Sequence, residues 1–145
     1  MRKGGKEKNS IRGKKSRAAG ARFELKVRGK LESDRWVIDK WSNNVDLDEK
    51  KLVKARAKFN PYRKVLGIGT GFPDFIGFKL KSKKTYEIIG IEVKANGWID
   101  KEEKEKCKFL LNEKIFSKIL IAKKGVKRGE IEFIDFEKKY RNKLK

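Results

Sequence analysis

Asp74, Glu92 and Lys94 are the residues of this chain whose types and spacing could do chemistry. Two carboxylates at a strand end offer hard oxygen ligands. They suit Mg²⁺, which keeps several waters and takes one or two protein carboxylates together with substrate phosphate. A lysine beside them can hold a phosphate oxygen or position an attacking water. The chemistry to expect is metal-assisted hydrolysis at phosphorus.

The elements that must position these groups can be read from their surroundings. Gly71–Lys94 reads GFPDFIGFKLKSKKTYEIIGIEVK. Two apolar runs, Asp74–Leu80 and Tyr86–Val93, are rich in β-branched and aromatic residues and flank a lysine-rich turn, Lys81–Thr85. That pattern predicts a β-hairpin. Symmetry about Lys83 sets Leu80 opposite Tyr86, Phe78 opposite Ile88, Ile76 opposite Gly90 and Asp74 opposite Glu92, so both carboxylates meet at the open end. Alternation puts Glu92 and Lys94 on one face of the strand and Ile91 and Val93 on the other.

The competing reading is a surface ion pair between Glu92 and Lys94, which would contribute little. The E-x-K spacing alone does not decide between them, because 42% of the residues are charged and Glu49–Lys51, Glu102–Lys104 and Glu137–Lys139 share it. Those three lie in charged, helix-like surroundings. Glu92 and Lys94 instead bracket a valine at the end of an isoleucine-rich strand, with Pro73-Asp74 upstream.

Pro73-Asp74 followed by Glu92-Val93-Lys94 resembles the PD-(D/E)xK nuclease motif. GTGFPDF at Gly69–Phe75, IEVKANG at Ile91–Gly97, a charged helix and ILIAKK at Ile119–Lys124 widen the pattern. Over roughly Arg17 to Phe136 it is similar to archaeal Holliday-junction resolvases and VRR-type nucleases. The resemblance implies an α/β fold with a restriction-endonuclease-like αβββαβ core, its mixed central sheet flanked by helices. It implies a metal-dependent endonuclease acting on branched or structured DNA in recombination and repair. Asp74, Glu92 and the Val93 backbone carbonyl would hold Mg²⁺, with Mn²⁺ as a substitute. Lys94 would orient water or stabilise the pentavalent phosphate. A glutamate on the first helix joins the site in resolvase-like members, a role that Glu24 matches. A homodimer, able to cut two strands symmetrically, belongs to the same implication.

Composition supports a polyanionic partner. The chain has 145 residues, enough for one domain with a modest core, and a formal charge of +21 from 41 Lys plus Arg against 20 Asp plus Glu. Nucleic acid is the expected partner, through phosphate contacts and counterion release. No amphipathic aromatic face or lipidation motif points to a membrane. No signal peptide or apolar span is present, and a cytoplasmic location is expected. The single cysteine, Cys107, rules out an internal disulfide and a cysteine-based zinc site, and reads as a small helix-core residue. With no histidine in the chain, serine-type triads and histidine acid–base mechanisms are excluded. Hydrolysis here must rely on carboxylates, lysines and a metal.

Along the chain, residues 1–16 read as a flexible basic arm and 137–145 as a basic, frayed tail, with the nuclease domain at 17–136. Arg12, Lys14, Lys15, Arg17 and Lys104 are the candidate nucleic-acid contacts. Arg17–Ser33 reads as a helix capped by Ser16, with Phe23, Val27, Leu31, Glu24, Ala21 and Leu25 on one arc. Glu24 within that arc is costly unless paired or near a metal. The competing partner is Arg28, one turn on. Arg35–Trp41 reads as a strand. Asp46–Phe59 reads as a helix ended by Asn60-Pro61, within a 42–70 segment long enough to be an insertion. Gly67-x-Gly69-x-Gly71 lacks the Gly-Lys-Ser/Thr of a phosphate loop and reads as a glycine turn beside Asp74. Asp100 and Glu103 form a capping box for a helix to about Lys114. Ser117–Lys123 and Glu130–Phe136 complete the strands.

The expected function is Mg²⁺-dependent endonucleolytic hydrolysis of DNA. Its rivals are a non-catalytic basic nucleic-acid-binding protein and, on the same fold, a restriction, flap or RNA-directed nuclease.

Overall fold

The structure, a computed structural model, describes residues 4–55, 58–60, 65–67 and 71–140, with side chains for 11–55 and 71–140. In chain order the elements are α1 (Gly4–Ser33), β1 (Val37–Lys40), β2 (Asn43–Asp46), β3 (Lys51–Lys54), β4 (Lys58–Asn60) and β5 (Val65–Gly67). They continue with β6 (Phe75–Ser82), β7 (Thr85–Val93), α2 (Lys101–Asn112), β8 (Lys118–Lys124), β9 (Ile131–Asp135) and α3 (Phe136–Tyr140). Five strands form one mixed sheet in the order β1-β6-β7-β8-β9. Only the β7–β8 pairing in it is parallel, and α2 makes that crossover. β2–β3 and β4–β5 are separate antiparallel pairs.

Period-two alternation builds a core on each face of the sheet. On one side, Phe23, Val27 and Leu31 of α1 pack on Ile38, Phe75, Ile89, Ile91 and Ala122. On the other, Cys107 and Leu110 of α2 join Phe116, Ile119 and Ile121, with Val45 from β2 and Phe136 and Tyr140 from α3. Each fully buried Ile or Leu contributes about 1.5–3 kcal/mol. The β6–β7 register is the expected one from Ile76 to Leu80, with Leu80 paired to Tyr86, Phe78 to Ile88 and Ile76 to Gly90. A shift after Leu80 pairs Ser82 with Thr85, and the ladder stops at Phe75–Ile91, before the expected Asp74–Glu92 pair. Cys107 is a buried core residue, as its helical position predicts.

Several expectations are corrected. The helix expected over Asp46–Phe59 does not form in the described part of that range, which holds a turn, β3 and the start of β4. Asp46 Oδ1 accepts the N–H groups of Asp48 (3.0 Å) and Glu49 (3.1 Å), and Lys50 takes a positive φ of 51°. That side-chain-to-backbone turn competes with a helical start and folds β2 back onto β3. The first helix does not begin at Ser16 but runs unbroken from Gly4. Lys, Arg and Ala are good helix formers, and no proline interrupts them, so the arm from Gly4 onward is helical and Ser16 lies inside the helix. Leu25 does not join the apolar arc: it is 69% exposed, because the contact stripe narrows to Phe23, Val27 and Leu31. The last strand ends at Asp135, and Phe136, expected within it, instead opens α3, which takes in residues 137–140 of the expected tail with Tyr140 buried. Residues 1–3, Gly69 and 141–145 lie outside the described residues.

Candidate metal and phosphate site

The β6–β7 ladder ends at Phe75 opposite Ile91, which leaves Asp74 just beyond it. Asp74 is held at two points. Its Oδ2 accepts the Val93 N–H at 2.8 Å, and its carbonyl accepts the Trp41 N–H at 3.1 Å. The incoming chain is pressed against the β1–β2 connection, where Phe72 N–H donates to the Asn43 carbonyl at 2.9 Å. A Cβ at Gly71 would collide with the Trp41 and Asn43 carbonyls, so the last glycine of the Gly-rich turn is there for close backbone approach. N–H and C=O of one strand residue point to the same side, so the Val93 carbonyl is directed towards the Asp74 edge.

Glu92 lies on the opposite face of β7 from Ile91, towards α2. It is 5% exposed, and its Oε2 has no partner. One pleat back, Gly90 leaves room for Pro73 and Phe116. Burial pushes the Glu92 carboxyl up to about 10, and the charge of Asp74 and a side-chain hydrogen bond with it push the same way. The competing surface pair does not form, because the Lys94 ammonium binds Glu103 Oε2 at 2.8 Å instead. Burial alone would lower the Lys94 pKa. Glu103, then Glu92 and Asp74, outweigh it and hold the amine above its ordinary value. Lys94 is therefore a cation at neutral pH, suited to stabilise phosphate charge and not to take a proton.

Glu103 is the residue that sequence reasoning recognised only as a helix cap. Its N–H donates to Asp100 Oδ1 at 2.8 Å while its Oε1 accepts the Asp100 N–H at 3.3 Å, closing the capping box. Its other oxygen holds Lys94. Glu24, half-buried on α1, is close enough to Asp74 to feel its charge. Burial first, then Asp74, raise its pKa, and Lys40 opposes them. Its competing partner is engaged elsewhere: Arg28 donates to Glu32 at 2.9 Å and to the Ile38 carbonyl at 3.0 Å. The tertiary structure thus brings Glu24, Asp74, Glu92, Val93 and Lys94 to one end of the sheet.

The fit to a cation can be tested on these groups. Among the described residues, no group of three or more His, Cys, Asp or Glu forms a ready cage for a metal ion. The Asp74–Glu92 pair, the unpartnered Glu92 Oε2 and the nearby Val93 carbonyl fit a cation that retains waters and expects substrate oxygens, as Mg²⁺ does.

Arg12, Lys14, Lys15 and Arg17 are exposed on α1. Lys104 is half-buried on α2, with its ammonium 4.9 Å from the Tyr140 ring centroid. Trp41 was missed as a neighbour of the site. Its ring meets Phe116 edge-on at 5.2 Å, and its buried Nε1 lacks a partner.

No family model, no curated protein and no solved structure matches this chain. Fold and site together define a mixed α/β domain with a five-stranded mixed sheet, flanking helices and a carboxylate–lysine cluster at one sheet end. Among the described residues, no helix is long and apolar enough to cross a membrane.

Proposed function

We propose that this protein is a Mg²⁺-dependent DNA endonuclease of the PD-(D/E)xK type, acting on branched or structured DNA. The observation that carries the reading is Glu92: a buried carboxylate with an unpartnered oxygen, pressed against a second carboxylate and followed by a lysine. Such a pair is costly alone and is relieved by a cation. With β2–β5 set aside as an insertion between β1 and β6, and β9 and α3 as an extension after β8, the remaining elements α1, β1, β6, β7, α2 and β8 follow the αβββαβ order that the motif resemblance implies, which supports the reading.

Asp74, Glu92 and the Val93 carbonyl would hold the ion. When bound, Mg²⁺ would supply Lewis acidity at the phosphate and lower the pKa of a coordinated water. The residues of the chain do the rest. Asp74 is fixed by its bond from Val93, so the ligand geometry is set before substrate arrives. Lys94, kept protonated and aimed by Glu103, stabilises charge that develops on the phosphate. Glu24 tunes the site from the α1 side through its coupling to Asp74. The charge of +21 provides sequence-independent affinity for the DNA backbone.

A homodimer belongs to this reading. We assign it to the uncovered strip Val37, Phe78, Leu80, Tyr86 and Ile88, all exposed. The register aligns Val37 with Phe78 and Ile88, and Leu80 with Tyr86, so the strip is continuous and uncharged in a strongly basic chain. It lies away from the carboxylate end, so pairing through it leaves the site open.

The test is cleavage with Mg²⁺ of four-way junction, flap, single-stranded and linear duplex DNA, by wild type, Asp74→Ala and Lys94→Ala. Junction-selective cutting lost in both variants is the expected result. Cutting of flaps, plain duplex or RNA keeps the chemistry and changes the substrate. Binding without cutting on every substrate, with Mg²⁺ or Mn²⁺, favours the non-catalytic binding protein.

A further inference from the structure

A second charged feature lies beside the carboxylates and is not used by them. The turn between β8 and β9 and the middle of α1 enclose a cleft of about 430 Å³, whose lining includes Phe23, Lys26, Lys124, Lys127, Arg128 and Glu130. Among the described residues, none of its four cations takes part in an ion pair, although neighbouring Lys123 is paired with Glu132 at 3.3 Å. Lys124 lies 5.8 Å from the Phe23 ring centroid instead. The acid in the cleft, Glu130, is turned to the loop: its Oε2 accepts the Lys127 N–H at 3.1 Å. Backbone bonds from Gly125 to Glu130 (2.7 Å) and from Glu130 to Lys127 (3.1 Å) close the turn. Unpaired cations converging on a pre-formed concavity make a site for an anion.

The tip of that turn adds a second observation. Val126 is 95% exposed, an apolar side chain standing in water just ahead of Lys127 and Arg128. The cleft also has a fixed relation to the carboxylates. Phe23 directly precedes Glu24 on α1. Lys94 N–H donates to the Ala122 carbonyl at 2.9 Å, and Lys124 N–H donates to the Ala95 carbonyl at 3.1 Å, so the cleft opens one strand away from Lys94.

We propose that this cleft seats backbone phosphates of duplex DNA flanking the cut, with Val126 entering the adjacent groove. The inference rests on the nuclease reading for its partner but makes its own claim about where the duplex lies. Lys26, Lys124, Lys127 and Arg128 take the phosphates, and Val126 lies against sugars and base edges, as apolar residues do in groove-binding proteins. The surface is independent of the metal, so binding can be read without catalysis.

The experiment is fluorescence anisotropy with labelled duplex DNA, without divalent metal, across a salt series. It compares wild type, Lys127→Ala/Arg128→Ala, Lys26→Ala and Val126→Ser, with Lys81→Ala/Lys83→Ala at the opposite end of the sheet as control. The double variant and Lys26→Ala should each weaken binding several-fold more per cation than the control. The slope of log K against log salt should fall by roughly 1 per cation removed. Val126→Ser should weaken duplex binding with the slope unchanged. Equal losses in cleft and control variants, or no loss in the cleft variants, overturn the proposal. An unchanged affinity for Val126→Ser overturns the groove contact. Cleavage by wild type but not Asp74→Ala is scored separately, so failure of the cleft and failure of the nuclease reading are distinguishable.

Discussion

Lys94 Nζ lies 2.8 Å from Glu103 Oε2, and the same glutamate closes the capping box at the start of α2. Helix initiation and lysine placement therefore share one side chain. Glu103→Gln can still accept from the Asp100 backbone but loses the ion pair. Cleavage should fall roughly 10–100-fold, the range for groups that orient a functional side chain, with DNA affinity unchanged. Glu103→Ala should also lose the reciprocal half of the capping box, the bond from the Asp100 N–H, while the Asp100 cap itself stays, and cost about 0.5–1 kcal/mol of stability. Single-turnover kinetics beside thermal unfolding separates the two effects.

The carboxylates divide activity from binding. Asp74→Asn and Glu92→Gln should abolish Mg²⁺-dependent cutting and keep or tighten DNA binding, because Asp74→Asn removes negative charge from the substrate path and Glu92→Gln replaces a carboxyl that already holds its proton in the metal-free protein. Isothermal titration with Mg²⁺ should show the loss of ion binding directly. Retained cutting in either variant would exclude the assigned ligand set.

Glu92 makes stability depend on pH. Its folded pKa, pushed up to about 10, lies above its unfolded value near 4.5, so the native state holds more protons between them. Its stabilising contribution is complete below the unfolded pKa and is lost as pH rises towards 10. Metal-free protein should weaken to urea from mildly acidic to alkaline pH. Glu92→Gln should flatten that slope and be the more stable protein at pH 9. Mg²⁺ needs the ionised carboxylate, so its stabilisation of wild type should grow with pH.

Gly90 ties core packing to the site. A Cβ there would lie 2.8 Å from Pro73 Cγ and 3.0 Å from Phe116 Cδ2. Gly90→Ala should destabilise by about 1–3 kcal/mol through overpacking and shift Asp74, which follows Pro73. Denaturant unfolding and Mg²⁺ affinity should worsen together. Gly13→Ala, where nothing lies within 4 Å, should leave both intact or improve stability.

The apolar strip predicts the oligomeric state. Wild type should sediment as a dimer, and Phe78→Lys/Tyr86→Lys as a monomer with an unaltered circular dichroism spectrum. Both side chains are exposed, so the variant is not expected to unfold. A wild-type monomer at high concentration would remove the assignment.

Several features were legible in the residue order because local rules govern them. The β6–β7 pairing follows from alternation about a central turn: the expected partners form from Ile76 to Leu80, while the ladder stops short of Asp74 and Glu92 and a register shift after Leu80 tightens the turn. The α2 cap follows from the D-x-x-E spacing. Charge, the absence of histidine and a single cysteine restrict the chemistry without reference to structure. Local rules failed where a side chain rewrote the backbone, as Asp46 did by turning β2 into β3. They also failed where a helix lacked a stop signal, as at Ser16.

Other features required three dimensions. That Glu92 is buried with an unpartnered oxygen depends on α2, Pro73 and Phe116 covering its face. That Lys94 answers to Glu103 and not to Glu92 depends on how α2 docks after the crossover. Spacing along a chain assigns residues to faces, because the strand period is two and the helix period is 3.6. Which partner meets a charged group on that face, and whether water reaches it, is set by long-range packing.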